Sequence, residues 1–284
     1  MTTFGEPLSL PRHKVGPLTA TWRILTALVE HRRQIFSVFW SDFNAPHRKN
    51  VLGAAWAYTM PLLPITAYVF VRSVIQDPNA DADALHPAVF VVLGVMPWLL
   101  MRSAIMTPFE AINRYRTLVM NSTFPLIAAV VAGFGAVSLE TLIRLIAGIV
   151  VVIALASASP LGVLAATGLL IAMSLFALSL GLFLVPAMVA VPDIRHILDI
   201  FFRYAIFFSG VIWSVPIISG SDLLYRLNPL AVFIGAFRDT LVGDTVAYPV
   251  VLFALLVATP VLFVFGARTL YATESQIKES LSRQ

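Results

Sequence analysis

Long apolar runs alternate with short polar segments along most of this chain, at the length expected of membrane-crossing helices. A helix needs about 20 mainly apolar residues to cross the hydrocarbon core of a bilayer. The pattern therefore predicts an all-α, polytopic membrane protein with six transmembrane helices. The predicted spans lie at 51–75, 88–109, within 126–155, within 161–191, at 197–215 and at 246–265.

The segment before the first span has a different periodicity, which is typical of an amphipathic helix. Between residues 18 and 40, apolar side chains recur on one stripe, with polar side chains opposite and Arg32 and Arg33 at the flank. Basic residues beside an apolar stripe favour a helix that lies in the membrane interface, close to anionic lipid headgroups. The stripe consists of Leu18, Trp22, Leu25, Val29, Phe36 and Trp40.

Residues 216–240 are apolar, but proline, glycine and charged residues interrupt them too often for any piece to span a bilayer. Backbone at membrane depth must be buried in protein or face water, so we expect two short re-entrant helices that form an outer gate. Asn228 and Pro229 are expected to set the turn between these helices. Arg238 and Asp239 are expected to lie near the outer water.

Three regions follow from these patterns. Residues 1–50 form a cytosolic lead with the interfacial helix, residues 51–270 form a single transmembrane domain that includes the gate, and residues 271–284 form a cytosolic tail.

Composition and charge placement agree with a membrane protein and predict its orientation. The chain is 59% hydrophobic and 12% charged, whereas soluble domains carry about 25% charged residues. It has no cysteine, which excludes disulfides and thiolate metal sites. Most lysine and arginine residues outside the spans fall on one predicted side of the membrane, and only Arg226 and Arg238 lie on the other. This bias predicts that both termini are cytoplasmic.

Motifs for covalent chemistry are missing from the sequence. It contains no G-x-x-x-x-G-K-[ST] phosphate loop for ATP, no H-E-x-x-H and no histidine spacing typical of a metal site. The basic residues do not form one stripe with interleaved aromatic side chains, which argues against nucleic-acid binding. We therefore expect a protein without catalytic residues, without a metal and without a cofactor of its own.

Charged and aromatic side chains inside the spans are the candidate substrate contacts. An intramembrane charge costs several kcal/mol unless it is paired or faces water, which singles out Arg102, Arg144 and Arg203. Glu140 lies one turn before Arg144, so an ion pair within the helix is the simpler reading for these two residues. Asp199 precedes Arg203 by four residues, so a local ion pair and a ligand contact both remain open. Aromatic rings offer sugars an apolar face and a polar edge, although packing or lipid contact is the simpler reading for each ring. The candidate channel-lining residues are Trp56, Tyr58, Trp98, Phe201, Arg203, Tyr204 and Phe208.

Five short motifs occur in order and together resemble the membrane subunit of type-2 ABC exporters for polysaccharides, the O-antigen, capsule and teichoic-acid export family. They are HRKNVLGAAWAYTMPLL, FVVLGVMPWLL, NRYRTLVMNSTFP, PDIRH and LNPLAVFIGAFRD. The resemblance extends from about residue 18 to residue 281. The sequence departs from the family pattern at Met60, where asparagine is usual, at the Asn50-Val51 pair before Leu52, and in the order of Asp193 and Arg195.

The resemblance implies a function and a set of partners. Such permeases are homodimers in the bacterial inner membrane, with a pore on the two-fold axis and a separate dimeric ATPase that holds ATP and Mg²⁺. The expected substrate is a lipid-linked glycan, first of all O-antigen on undecaprenyl pyrophosphate, with capsular or teichoic-acid polymers as the alternative. The pyrophosphate is expected to meet Arg32, Arg33, Arg48 and Lys49. The ATPase is expected to contact Asn113, Arg114, Arg116, Phe124 and Pro125.

Two other classes remain open at this point. An ion-coupled secondary transporter needs intramembrane acids, for which only Glu140 and Asp199 qualify. A membrane glycosyltransferase needs an acidic or histidine cluster on an outward loop, for which Asp222, Asp239 and Asp244 are the candidates.

Overall fold

The computed structural model of the chain describes residues 15–44, 67, 70, 74, 87–121, 124–155, 159–212 and 222–283. Side chains at 87, 88, 140, 143–155, 222 and 224 are not part of this description. The described residues are almost all helical and contain no strand, which confirms the predicted all-α class. Apart from residues 67, 70 and 74, the predicted first span lies outside the described residues, as do the Glu140 and Arg144 side chains.

Ten helices occur in the described residues, and the longest match the predicted spans. They are α1 (Pro17–Glu30), α2 (Arg32–Asn44), α3 (Pro87–Arg114), α4 (Arg116–Asn121), α5 (Leu126–Leu155), α6 (Pro160–Ala190), α7 (Asp193–Phe208), α8 (Asp222–Leu227), α9 (Pro229–Val242) and α10 (Pro249–Arg283).

Three of these helices, α3, α6 and α10, are long and apolar enough to cross a membrane. The fourth long helix, α5, has 30 residues and begins with an apolar stretch. The chain is therefore a multi-pass membrane protein, whereas the full count of six spans stays a prediction. No new helix begins at the predicted cytosolic tail, because α10 continues without a break to Arg283.

The helix at the predicted fifth span is shorter than expected. Helix α7 has 16 residues, about 24 Å at 1.5 Å per residue, which is less than the roughly 30 Å hydrocarbon core. It ends at Phe208 because Gly210 follows with φ +65°, a conformation that side chains other than glycine rarely adopt.

Helix α6 is central among the described helices, since it packs against α3, α9 and α10, and α3 in turn packs against α5. One buried cluster joins α3, α6, α7 and α9. A second joins the start of α5 to α1, α6 and the end of α10. The chain segment after α7 is therefore built into the same core as the long helices.

The predicted interfacial helix is two helices, α1 and α2, that meet at His31. The opposite side of α1 packs through Ala20 and Ile24. The predicted apolar stripe is exposed at every position, from Leu18 (74%) to Trp40 (52%). An exposed apolar stripe suits contact with lipid, and the interfacial position itself stays a prediction.

Asn228 separates the two short helices of the expected gate and joins them to the end of α7. Its side-chain oxygen accepts hydrogen bonds from the backbone N–H groups of Leu230 (3.1 Å) and Ala231 (3.5 Å), which caps α9. Its side-chain nitrogen donates to the carbonyl oxygen of Phe208 at 3.1 Å and to Oγ of Ser209 at 3.3 Å. The predicted turn at Asn228 is thus also a clamp on α7, whereas re-entry into the membrane stays a prediction.

The expectation that Arg238 lies near outer water is wrong. Arg238 is only 5% exposed and donates hydrogen bonds to the carbonyl oxygens of Phe90 (3.1 Å), Gly210 (2.6 Å) and Val211 (2.7 Å). Its guanidinium also lies 3.6 Å from the centroid of the Phe90 ring. The reason is that carbonyl groups after a helix end lack intrahelical partners, and a guanidinium fork supplies several donors at once.

Asp239, next in the chain, is half-buried and accepts a hydrogen bond from the backbone N–H of Ala247 at 3.1 Å. It therefore fastens the connection between α9 and α10.

Gly94 on α3 leaves the space that the Arg238 guanidinium occupies. A Cβ atom there would overlap Nη2 of Arg238 and lie 2.7 Å from the carbonyl oxygen of Val211. We predict that Gly94→Ala lowers the free energy of unfolding by about 3 kcal/mol, because the carbonyl groups at the end of α7 lose their charged donor. Thermal unfolding in detergent measures the effect.

Gly168→Ala is the matched control, because a Cβ atom at Gly168 meets nothing within 4 Å and the residue is likewise helical. Alanine there is expected to be neutral or to stabilise by about 0.5–1 kcal/mol. Equal melting temperatures for the two variants would contradict the role given to Gly94.

Candidate functional site: two stripes of one short helix

Helix α7 shows two exposed stripes because only a narrow side of it is buried. Phe202, Ala205 and Ile206 are its buried residues, and the helix contacts α3 and α6. Phe201, Tyr204 and Phe208 form an aromatic stripe, His196, Asp199 and Arg203 form a charged stripe, and each stripe lines its own cavity.

The aromatic stripe faces an apolar groove of about 690 Å³. Phe201, Tyr204 and Phe208 follow one another at helical spacing, and they are 54%, 59% and 77% exposed. Residues of α3, α6 and the start of α9 complete the walls, so Asn228 and Pro229 at the expected gate line the same groove. The structure thus brings together three of the predicted channel residues. The remaining wall residues are Met101, Ile105, Leu180, Phe183, Leu184, Leu198, Phe202, Ala205, Leu227 and Leu230.

The charged stripe faces a second cleft of about 480 Å³ between α7 and α3. We call it the charged cleft, and its lining residues are Trp98, Arg102, His196, Asp199, Ile200 and Arg203. The ion pair in it joins two helices, since Nη2 of Arg102 lies 3.1 Å from Oδ1 of Asp199. The local pairing of Asp199 with Arg203 considered from the sequence is therefore wrong. The Asp199 side chain lies toward α3, where it pairs with Arg102.

Two polar groups at the charged cleft have no partner in the part of the chain that the structure describes. Trp98 is 7% exposed and its Nε1 donor makes no hydrogen bond there. Arg203 is exposed and makes no ion pair or hydrogen bond with the described residues. Both were candidate channel residues, and both border this cleft rather than the aromatic groove.

The predicted ATPase-contact segment is anchored at one end and exposed in its middle. Nη1 of Arg114 lies 2.6 Å from Oδ2 of Asp42 on α2, and Nδ2 of Asn113 donates to the carbonyl oxygen of Phe109 at 2.9 Å. Burial, helped by the adjacent Asp42 carboxylate, raises the pKa of Tyr115. Helix α4, which begins at Arg116, exposes Thr117, Leu118, Met120 and Asn121.

Phe124 departs from the expectation that it meets the ATPase. It is 1% exposed and belongs to the buried cluster that includes Ile24 of α1 and Ile277 of α10. A large apolar ring at a helix start is more stable inside such a cluster than on a cytosolic surface. Pro125 beside it is half-buried. These two residues hold the segment in place, and among its described residues the exposed ones are Arg114 and residues of α4.

Two of the four basic residues expected at the lipid pyrophosphate lie in the described part of the chain. Arg32 and Arg33 begin α2 and are exposed, and Nη1 of Arg32 donates to the carbonyl oxygen of Val29 at 2.9 Å. Arg48 and Lys49 lie outside the described residues, as do Trp56 and Tyr58. Within the described ranges no group of three or more histidine or acidic side chains could hold a metal ion.

Sequence reasoning missed three residues that shape these sites. Asp42 lies just beyond the predicted amphipathic helix, Gly94 lies inside the predicted second span, and His196 lies just before the predicted fifth span. Helical spacing alone could have grouped His196 with Asp199 and Arg203. The partners of Asp42 and Gly94 lie far along the chain and leave no local signal.

The long apolar helices and the open groove are features that membrane transport subunits share. Comparison with family models makes the class specific, since the model described as ABC-2 type transporter matches residues 33–242. The chain therefore belongs to the ABC-2 type transporter family and is a permease that works with a partner ATPase subunit. A search of curated proteins gives no significant match.

The two phenylalanines at 201 and 202 are neighbours in sequence but have opposite surroundings. Phe202 is 2% exposed and Phe201 is 54% exposed. We predict that Phe202→Ala lowers the free energy of unfolding by about 3–5 kcal/mol because it leaves a cavity. Phe201→Ala is expected to stay within about 0.5 kcal/mol of the unmodified protein, because it removes a ring with few packing partners. Thermal unfolding of both variants measures this, and a larger loss for Phe201→Ala would mean that the aromatic stripe is part of the core.

Proposed function

We propose that the chain is the permease subunit of an ATP-driven exporter that moves a lipid-linked polysaccharide across the bacterial inner membrane. The observation that carries the proposal is the exposed aromatic stripe of α7 along an open groove, in a chain of the ABC-2 type transporter family. The substrate that fits best is O-antigen on undecaprenyl pyrophosphate. A capsular or teichoic-acid polymer uses the same chemistry and is the alternative within this class.

Aromatic platforms suit a moving polymer better than a polar pocket does. A sugar ring has an apolar C–H face that lies well on an aromatic ring, while the Tyr204 hydroxyl offers one hydrogen bond. Phe201 and Phe208 present no charged group that would hold one particular sugar unit in place. Successive units can therefore slide along the stripe at low cost, which polymer export requires.

A homodimer completes the path in this proposal. The groove is open on one side, and each side chain of the aromatic stripe along it is more than half exposed. A second copy related by a two-fold axis would present the same stripe across the opening, as isologous interfaces do. Helices α8 and α9 would then close the outer mouth, because Asn228 and Arg238 fasten them to the end of α7.

Helix α4 is the proposed contact with the ATPase. Its exposed apolar side chains, Leu118 and Met120, suit insertion into a groove on a partner, while Val119 is buried and fixes the helix. The Arg114–Asp42 ion pair would transmit a movement of α4 to α2 at the membrane surface. In this arrangement both termini are cytoplasmic, as the charge bias predicts.

The two rival classes lose support from the geometry. The Asp199 carboxylate is already paired with Arg102, and this ion pair accounts for an acid in α7 without a transported ion. Asp239 accepts a backbone hydrogen bond from Ala247 and serves the connection of two helices. Family membership also favours a permease over a glycosyltransferase.

Arg32 and Arg33 provide the test of the substrate assignment. Guanidinium forks bind pyrophosphate oxygens bidentately, which a lysine ammonium does not reproduce. We predict that Arg32→Glu combined with Arg33→Glu abolishes surface glycan and that lysine at both positions restores only part of it. The readout is surface glycan at equal protein level, together with intact assembly of the permease and the ATPase.

Gln34→Glu combined with Ser37→Glu is the control for added negative charge, because both residues are exposed on the same helix and the pair adds two carboxylates without removing a guanidinium. This control is expected to export normally. Full export with lysine at positions 32 and 33 would mean that these residues only contact anionic lipid headgroups. Normal surface glycan in the glutamate variant would rule the assignment out.

A further inference from the structure

The charged cleft between α3 and α7 has a chemistry that the aromatic groove does not explain. We propose that this cleft binds the phosphate oxygens of the lipid headgroup during export, as a site separate from Arg32 and Arg33. The inference rests on the proposed function for the identity of the lipid. The phosphate chemistry itself rests on the residues of the cleft.

The cleft is built by regular spacing on two helices. His196, Asp199 and Arg203 lie three and four residues apart, which places them on one side of α7. Trp98 and Arg102 lie four residues apart and line the cleft from α3. The volume of about 480 Å³ falls in the roughly 300–1,000 Å³ range of small-molecule sites.

The charges in the cleft do not balance. Arg102 and Arg203 each carry a positive charge, and Asp199 is the one carboxylate among the lining residues. Asp199 is paired with Arg102 at 3.1 Å, so the charge of Arg203 has no counter-ion among the described residues. Arg203 lies seven residues beyond His196, about 10 Å further along the helix. In the membrane position predicted for α7, the Arg203 guanidinium needs either water or an anion.

Donors dominate the cleft, as a phosphate site requires. Arginine has five N–H donors and no acceptor, whereas phosphate oxygens only accept. Planar forks match pairs of phosphate oxygens, and these charge-assisted hydrogen bonds are among the strongest in proteins. Asp199 limits the affinity of the cleft for phosphate, because its carboxylate competes with the ligand for the Arg102 guanidinium. Such competition suits a transporter, which must release what it binds.

The proposed site also lies beside the proposed path. Ile200 borders the charged cleft and Phe201 borders the aromatic groove, and the two residues are consecutive on α7. A headgroup held by Arg203 would therefore place the first sugar units next to the aromatic stripe. This geometry orders the steps, with the phosphate bound on one stripe and the glycan guided along the other.

Binding to the full permease–ATPase complex in nanodiscs tests the inference. The probes are undecaprenyl pyrophosphate, undecaprenol without phosphate, and inorganic pyrophosphate. We expect Arg203→Gln to weaken undecaprenyl pyrophosphate binding roughly ten- to a hundredfold, the effect of losing hydrogen bonds from a charged group. Arg203→Lys is expected to be intermediate, because lysine keeps the charge and loses the fork. Asp199→Asn is expected to tighten binding, because it removes the competing carboxylate.

Arg195→Gln is the matched control, since Arg195 lies on the same helix outside the cleft and its Nη2 lies 3.9 Å from Glu110. It is expected to bind like the unmodified protein. Equal weakening by Arg195→Gln and Arg203→Gln, or no effect of either, would overturn the site. Weaker binding on Asp199→Asn would overturn the proposed competition.

The probes separate the possible sources of phosphate. Undecaprenol is expected to bind weakly and independently of Arg203, and inorganic pyrophosphate to bind more weakly than the lipid but with the same dependence on Arg203. Equal affinity for undecaprenyl pyrophosphate and inorganic pyrophosphate would overturn the assignment to the exported lipid. Phosphatidylglycerol that competes for the cleft as well as undecaprenyl pyrophosphate does would overturn it too.

The outcome also separates this inference from the proposed function. If deleting the gene leaves surface glycan unchanged while Arg203 controls binding, the proposed function fails and the phosphate site stands. If deletion abolishes surface glycan while Arg203→Gln binds normally, the function stands and the site fails.

Discussion

The buried guanidinium of Arg238 is the interaction on which the rest of this structure depends. Helix α7 ends at Phe208, and the carbonyl groups that follow it have no partner within the helix. Arg238 donates to the carbonyl oxygens of Gly210 and Val211 after the helix and to that of Phe90 near the start of α3. One side chain thereby joins α3, the end of α7 and α9, in a space that Gly94 keeps open.

The contacts of Arg238 determine which side chains α7 exposes. Asn228 holds the last turn through Phe208 and Ser209, and a narrow buried side packs against the long helices. The orientation of the helix is therefore fixed, and two stripes remain exposed on it. One stripe is aromatic and borders an apolar groove, while the other is charged and borders the cleft that contains Arg203. A polymer with an anionic headgroup and a sugar chain matches this division in the proposed export function.

Local chemistry explains which features the sequence predicts and which it does not. Apolar periodicity located the long helices, and the turn preference of Asn228 and Pro229 located the break between the two short helices. Arg238 and Phe90 are 148 positions apart, and Arg102 and Asp199 are 97 apart, so no local pattern reveals either pairing. The burial of Phe124 likewise depends on packing against α1 and α10. The charged residues of the predicted spans could be picked out from the sequence, whereas the Arg102–Asp199 pairing is shown only by the packed helices.

The central claim is that the aromatic stripe of α7 lines the path of the exported glycan. A photoreactive amino acid at Tyr204, in the complete transporter during export, tests it most directly. Our account predicts an adduct that carries sugar at this position. The same probe at Phe253, an exposed residue of α10, is expected to capture only phospholipid. Phospholipid adducts alone at both positions would contradict the account.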